Sequence, residues 1–185
     1  MGQYKLLEIL DQNTLAEVTN IFGNNNIFKF TDNIVGIKYD YNRMSYTDVL
    51  RNVIGLNLRQ WTITSNRFID IISYSITNSL HLGPIVFSEF IDSNQTDKIK
   101  NIITKINMTF DSENKLQLKE ALINNLEWLM LDECIDIQSI VISHMIPTPP
   151  FNVDTRFFNN GVLFVEEHDT LENLRVLFMD CFSRR

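Results

Sequence analysis

The chain has 185 residues, of which 44% are hydrophobic and 11% aromatic, and its net charge is −7. This composition excludes a disordered chain and predicts a folded globule, most simply one domain over residues 1–185. Its two cysteines are too few for a disulfide framework, and it has no apolar run of the length that a signal peptide or a membrane span needs, so we expect a cytoplasmic protein without membrane contact.

The negative charge is concentrated toward the end of the chain. Residues 1–119 hold twelve basic and twelve acidic side chains, whereas residues 120–185 hold four basic and eleven acidic ones. Binding to a nucleic-acid backbone needs clustered lysine and arginine, so this distribution argues against a nucleic-acid partner. It favours a basic protein as the partner, with a purely solvated acidic face as the alternative.

The first elements are predicted to be a helix followed by a β-hairpin. Apolar residues recur at nearly helical spacing over residues 4–22, and Gly23 with the asparagines after it ends the run. Two β-rich runs then meet at a short polar turn, which predicts a hairpin across residues 27–41. Its face with Val35 and Ile37 is expected to be buried.

The middle of the chain is predicted to be mostly helical. Ser45 and Ser65 can each accept a hydrogen bond as the N-cap of a helix. The helix after Ser65 also has the β-branched content of a strand, but Gly83 and Pro84 behind it favour a helix that they close. The predicted elements are a helix at 45–59, a helix at 65–80 that His81 extends, a strand at 84–92 and a helix at 93–108.

The longest predicted helix, near residues 112–131, has one apolar side. Its leucine, isoleucine and methionine side chains fall within one broad arc at 100° per residue, with Glu120 and Glu127 opposite. Trp128 and Leu131 fall at the polar margin of that arc. We expect a neighbouring element to cover them, and the alternative is that they are exposed apolar anchors for a partner.

The last part of the chain predicts a strand at 134–146, a proline-stiffened connection, a hairpin and a final helix at 170–182. The hairpin turns at Asn160-Gly161, where glycine supplies the positive φ of a tight turn. With about six helices and six strands, the predicted fold class is α+β, a single domain in which a mixed or largely antiparallel sheet with two β-hairpins packs against about six helices.

No motif carries recognisable chemistry. Six scattered glycines build no phosphate-binding loop, and the chain has neither a nucleophile elbow nor an HExxH motif. Cys134 lies among acidic residues that disfavour its thiolate, and we expect it to be buried where a strand begins. His144 is expected to be a partly exposed strand residue. His168 lies among acidic residues that more often serve a helix N-terminus than a metal ion, so no cofactor or metal is expected.

Two classes of function remain. The first is a non-catalytic protein-binding domain, an acidic inhibitor that masks a basic surface of a toxic protein such as a nuclease. Bacterial immunity proteins and antitoxins share this profile of small size, acidity and missing catalytic motifs. The second is a small hydrolase that uses Asp or Glu with His144 or His168, and a further alternative is a structural subunit of an assembly.

The residues predicted to bind the partner are carboxylates together with one aromatic anchor. The carboxylates would steer and pair with lysine or arginine of the partner, and the anchor would supply most of the affinity. The predicted set, expected to form one exposed patch, is Glu120, Glu127, Trp128, Asp132, Glu133, Asp136, Glu166, Glu167, Asp169 and Glu172.

Overall fold

A computed structural model of the chain describes residues 2–147, 150–166 and 170–182. Contacts within the chain define two compact units: unit 1 comprises Met1–Ile63 and Thr155–Arg185, and unit 2 comprises Thr64–Asp154. Unit 1 contains the strands Gly2–Ile9 (β1), Ile27–Lys29 (β2), Ile34–Tyr39 (β3), Leu58–Gln60 (β4) and Val162–Val165 (β8), and the helices Gln12–Phe22 (α1), Tyr46–Asn52 (α2) and Thr170–Phe182 (α6). Unit 2 contains the helices Ser65–Thr77 (α3), Ser93–Met108 (α4) and Ser112–Leu131 (α5), and the strands His81–Phe87 (β5) and Ile137–Pro147 (β6). The strand Pro150–Phe158 (β7) contributes residues to both units.

The predicted fold class is confirmed. In unit 1 the strands follow the order β2-β3-β1-β8-β7, with β4 also paired to β1, and in unit 2 β6 lies between β5 and β7. The strand pairs whose register is defined are antiparallel, and β2 with β3 and β7 with β8 form the two predicted hairpins. The described residues form six α-helices, in agreement with the predicted number of about six. The extent of a single domain over residues 1–185 stays a prediction.

The centre of unit 1 is β1, in a segment that was wrongly predicted to be helical. β1 pairs with β3 along one edge, and along the other it pairs first with β8 and then with β4. Tyr4, Leu6 and Leu7 are all buried, so both faces of the strand are covered, as in a central strand of continuous apolar sequence. The helix begins only at Gln12, where the Asp11 carboxylate accepts a hydrogen bond from the main chain of the second helical residue.

Helices cover one face of this sheet and aromatic rings cover the other. Leu7, Val35 and Ile37 pack with buried valines of α1 and α2, which confirms the predicted buried face of the first hairpin. Ile34 and Gly36 on the opposite face are buried as well, because the Phe30 ring lies against Gly36.

The aromatic rings of unit 1 are centred on Phe178 of α6. Its ring centroid lies 4.6 Å from that of Phe30, 5.5 Å from that of Trp61 and 5.4 Å from that of Phe182. At these distances aromatic pairs stabilise a fold by more than the burial of their apolar area alone would give. Leu171, Leu174 and Leu177 are buried together with Phe178, so this apolar side of α6 faces the core.

A buried lysine lies where the partners of β1 change from β8 to β4. Lys5 is 0% exposed, and its ammonium donates a hydrogen bond to the main-chain carbonyl of Asn160 in the β7–β8 turn. The Gln60 side-chain amide donates to the same carbonyl at 2.9 Å. Burial lowers the pKa of Lys5 to about 7, because the charged form loses its hydration.

The β7–β8 turn fits this junction closely. Gly161 has φ +74°, as predicted for the tight turn, and its carbonyl accepts a hydrogen bond from the Leu6 amide at 2.8 Å. A β-carbon at this position would lie 1.9 Å from the main-chain oxygen of Trp61. Glycine is therefore required at this position for two reasons: its positive φ and the close approach of another main chain.

Unit 2 has helices stacked on a short antiparallel pair of strands. β5 pairs with β6, α3 and α4 pack on β5, and α5 packs on α3 and α4. His81 opens β5 and Gly83-Pro84 lies inside it, so the prediction that these residues end a helix is wrong. α3 instead ends at Thr77, where Ser79 with φ 57° reverses the chain. Among the described residues, no helix combines the length and apolar character needed to cross a lipid bilayer.

The stability of the chain should rise with pH because of Lys5. Between its folded pKa of about 7 and its unfolded value of 10.5, the unfolded chain binds one proton more than the folded chain. The free energy of unfolding should therefore increase across this range by up to about 1.4 kcal/mol per pH unit. Above pH 10 the trend should reverse, since burial raises the pKa of Tyr39 to about 12 from 10.0 and the unfolded chain then loses a proton first.

Lys5→Met should remove the rise above pH 7, which urea unfolding at a series of pH values will measure. Lys38→Met, at an exposed lysine of β3, is the matched control and should leave the rise intact. Parallel pH profiles for wild type and Lys5→Met would show that Lys5 keeps its ordinary pKa in the folded chain.

Gly161→Ala should destabilise the chain by more than about 2 kcal/mol, because the strain of positive φ adds to a main-chain collision. Gly55→Ala is the control, because Gly55 has φ +92° with open space around its β-carbon position, so only the backbone strain of about 1 kcal/mol applies. Denaturant unfolding of both variants gives the difference, and equal losses would contradict the tight fit of the turn.

Candidate partner-binding surface

The outward side of α5 carries several of the predicted residues. Glu120, Glu127 and Leu131 follow one another at helical spacing and are exposed. This side is solvent-facing because the opposite side, with Leu122 and Leu126 fully buried, packs on α3 and α4. The predicted division of this helix into an apolar and an acidic side is thus confirmed by the positions of its residues.

Two large apolar side chains lie within this acidic side. Trp128 is 40% exposed and Leu131 is 76% exposed. The expectation that a neighbouring element covers them is wrong, because the elements that pack on α5 meet its other side. Their exposure matches the alternative interpretation, in which they are apolar anchors for a partner.

Acidic residues also occupy the end of α5 where they are least favourable. Asp132 is the C-cap and Glu133 follows it, while Glu127 directly precedes the last turn of the helix, which contains no basic residue. The C-terminus of a helix carries partial negative charge, so each carboxylate there costs a few tenths of a kcal/mol, up to about 1 kcal/mol. We call the residues Glu127, Trp128, Leu131, Asp132 and Glu133 the α5 tip.

The carboxylates of the α5 tip form no ion pair with any described residue. In unit 1, by contrast, Glu8 pairs with Arg59 at 2.6 Å and Asp48 pairs with Arg51 at 2.8 Å. Lys115 and Lys119 of α5 lie toward the opposite end of the helix. There they donate hydrogen bonds to the hydroxyls of Ser79 and Thr77 at the end of α3, at 3.2 and 3.1 Å.

Most of the net charge of the chain belongs to unit 2. Its residues hold six basic and twelve acidic side chains, a net charge of −6, whereas those of unit 1 hold ten basic and eleven acidic ones. The excess of acidic over basic side chains in the sequence therefore lies mainly in one compact unit, unit 2. The α5 tip contributes three carboxylates to this surplus, at the end of α5 opposite to Lys115 and Lys119.

Asp136, also predicted to bind the partner, has a structural role. Its carboxylate accepts a hydrogen bond from the Ser65 hydroxyl at 2.7 Å, and its main chain exchanges two further bonds with Ser88. The Ser65 hydroxyl in turn accepts from the Ile137 amide at 3.1 Å. Asp136 is exposed. Its hydrogen bonds nevertheless join the start of β6 to the start of α3 and to the end of β5.

The remaining predicted residues belong to unit 1. Glu166 is exposed, and Glu172 is exposed and pairs with Arg175 at 3.7 Å. Glu167 and Asp169 lie outside the described residues, as does His168. The set thus divides between the two units, so one patch formed by all ten residues stays a prediction.

Of the two histidines in the hydrolase alternative, the structure describes only His144. His144, predicted to be partly exposed, is buried at 7% exposure, and burial lowers its pKa. Cys134, predicted to be buried, is exposed in a left-handed conformation with φ 57° just after α5. Among the described residues, no group of three or more His, Cys, Asp or Glu side chains could hold a metal ion.

A second surface of unit 2 was not anticipated from the sequence. β5 and α4 enclose an open groove of about 760 Å³, a volume within the range of ligand-binding pockets. Buried Leu82, Ile99 and Ile103 line it, and exposed Phe90 and Met108 stand at its rim. The sequence pattern did not predict this groove, because its lining residues follow the apolar periodicity of an ordinary packed helix and strand.

Comparisons with known proteins give no further indication of function. No family model matches the chain, no curated protein matches it, and no solved structure matches it. Conclusions about function therefore rest on the surfaces described above.

Asp136→Ala should destabilise the chain by about 1–2 kcal/mol, because it leaves the Ser65 hydroxyl without its acceptor. Glu133→Ala, three residues away and exposed, should change the stability by less than about 0.5 kcal/mol. Thermal and urea unfolding measure both variants, and an equally small effect of Asp136→Ala would return this residue to the candidate partner-binding surface.

Proposed function

We propose that the chain is a non-catalytic binding protein that docks on a basic surface of another protein through the α5 tip. The observation that supports this function is the group of carboxylates around exposed Trp128 and Leu131, which form no ion pair with any residue that the structure describes. The carboxylates provide long-range attraction, and the two apolar side chains provide area that loses water on contact.

The unfavourable charge at the end of α5 supports a role in binding. A helix optimised for stability alone would carry lysine or arginine in its last turn. The last turn of α5 contains no basic residue, with Glu127 just before it and Asp132 and Glu133 just after it. A basic partner relieves this repulsion when it binds, so the electrostatic cost in the free chain becomes affinity in the complex.

Toxic nucleases are the partner class that this arrangement suits best. An enzyme that binds a nucleic-acid backbone presents clustered lysine and arginine, and an acidic protein that covers them blocks access of the substrate. The chain would then act as an inhibitor, as immunity proteins and antitoxins do, and it would need no catalytic residue of its own.

Reversing the charge of the α5 tip tests the proposal. The partner is first captured on the immobilised chain at low and high ionic strength and identified by mass spectrometry. Its association rate is then measured with wild type and with the variant that combines Glu127→Lys, Asp132→Lys and Glu133→Lys. At low ionic strength the rate should fall by more than about ten-fold, because electrostatic steering reverses sign.

The matched control makes the same change in net charge on unit 1, with Glu17→Lys, Asp32→Lys and Asp180→Lys at exposed carboxylates. It should slow association much less. The tip variant should be at least as stable as wild type, since lysine at a helix C-terminus is favourable, and a thermal unfolding curve confirms that it folds. Equal rates for the tip variant and the control would count against the α5 tip as the binding surface.

A further inference from the structure

We propose that the α5 tip selects arginine over lysine in the basic partner: a guanidinium lies on the indole ring of Trp128 and pairs with the carboxylate of Asp132. This inference rests on the proposed function and deepens it, because it specifies the side chain through which the basic partner is recognised.

The Trp128 ring and the Asp132 carboxylate are neighbours on the surface of α5. Trp128 is 40% exposed, and Asp132 is exposed one helical turn later. Asp132 is the C-cap and keeps helical backbone angles, with φ −94° and ψ −37°, so the spacing of four residues places both side chains on the same side of the helix. At this spacing the β-carbons are about 5–6 Å apart, and one planar group of a partner can contact both side chains.

The segment that carries the carboxylates is fixed by hydrogen bonds. The amides of Asp132 and Glu133 donate to the main-chain carbonyl of Trp128 at 2.9 and 3.4 Å. At the other end of the segment between α5 and β6, the Asp136 carboxylate accepts a hydrogen bond from the Ser65 hydroxyl of α3 at 2.7 Å. Because the main chain is held at both ends, a partner orders little of it on binding, and the fixed geometry as well as the charge decides which cation fits.

The ring and the carboxylates of the α5 tip are not engaged by other groups of the described chain. Glu127, Asp132 and Glu133 form no ion pair with a described residue. The aromatic ring pairs among the described residues all lie in unit 1, so Trp128 stacks on none of those rings. A cation that reaches the α5 tip therefore displaces no internal partner.

Arginine and lysine use such a surface differently. A guanidinium is planar and weakly hydrated, so it can lie against an exposed indole ring while its N–H groups donate to a carboxylate beside the ring. An ammonium is compact and strongly hydrated, so it gains from the carboxylates and less from the ring. Carboxylates alone attract both cations, and Trp128 next to Asp132 is the feature that favours arginine.

Arginine also suits the proposed mode of inhibition. Proteins that bind a nucleic-acid backbone hold phosphate through the paired N–H groups of guanidinium, and a carboxylate engages the same groups. An arginine bound to the α5 tip is therefore withdrawn from the nucleic acid, which links this contact to the loss of the partner's activity.

Two peptides of equal charge are the probes, one with four arginines and one with four lysines in an otherwise identical sequence of glycine and serine. They are titrated into the full chain at low ionic strength, and the indole resonance of Trp128 is followed by NMR. Trp61 is 3% exposed, so its resonance is the internal reference. The arginine peptide should bind about five-fold more tightly than the lysine peptide, because the guanidinium gains more from the ring.

Trp128→Leu should abolish this preference and leave the affinity for the lysine peptide nearly unchanged, as followed through the backbone amides of the α5 tip. Phe110→Leu is the matched control, since Phe110 is an exposed aromatic residue of unit 2 outside the α5 tip, and it should keep the preference. Equal affinities of wild type for the two peptides, a preference that survives Trp128→Leu, or no binding of the arginine peptide at the tip would overturn the inference.

The carboxylate is tested by two variants with the same change in net charge. Asp132→Asn should reduce the arginine preference, because the guanidinium loses the acceptor beside the ring. Glu120→Gln, at an exposed residue about two turns before Trp128, should weaken both peptides equally and leave the preference intact. An unchanged preference in Asp132→Asn would contradict the pairing.

The captured partner separates this inference from the proposed function. If the two peptides bind alike while reversal of the α5 tip slows the association of the partner, the proposed function stands and selection of arginine is excluded. If wild type selects the arginine peptide through Trp128 while reversal of the tip leaves the association of the partner unchanged, the partner docks elsewhere and the proposed function is excluded.

Discussion

The fold of unit 1 depends on β1 having three strand partners. Because β8 and β4 share one edge of β1, the chain must change partners in the middle of that edge, and the β7–β8 turn occupies the place where they meet. Lys5 satisfies the Asn160 carbonyl at this place, with Gln60 as a second donor. The Asn160 carbonyl gives the buried ammonium of Lys5 a hydrogen-bond acceptor, which lowers the cost of placing a lysine inside an apolar core. The ammonium of Lys5 loses its hydration when it is buried in this way, and the lowered pKa of Lys5 reflects that loss.

The two units handle charge in different ways. In unit 1 the acidic residues Glu8, Asp48 and Glu172 lie within reach of arginines, and the charges nearly balance. In unit 2 the lysines of α5 bind hydroxyls at one end of the helix, while the exposed carboxylates at the other end form no ion pair with a described residue. Since exposed ion pairs contribute little to stability, the difference matters less for folding than for the electric field that each unit presents to a partner.

The candidate surfaces of unit 2 share a physical logic. The α5 tip combines carboxylates with Trp128 and Leu131, and the groove is lined by Glu89 and Lys100 together with Phe90. In both places large apolar side chains remain in water where packing within the unit does not require them. In protein complexes, exposed charges act mainly on the association rate and buried apolar contacts mainly on the dissociation rate, so the two kinds of residue would contribute differently to the proposed binding.

The sequence alone determined the α+β class, α4, α5 and α6, and the hairpin at Gly161, because periodicity, capping residues and a glycine turn are local properties of the chain. It also located the acidic surplus, since charge is counted without coordinates. Tertiary structure decided what local pattern leaves open. The run from Tyr4 to Leu7 fits a helix or a buried strand equally well, and only its pairing with β3, β8 and β4 selects the strand. Tertiary structure likewise tied Asp136 to Ser65, buried His144 and left Trp128 exposed, because these outcomes depend on which distant element lies against each side chain.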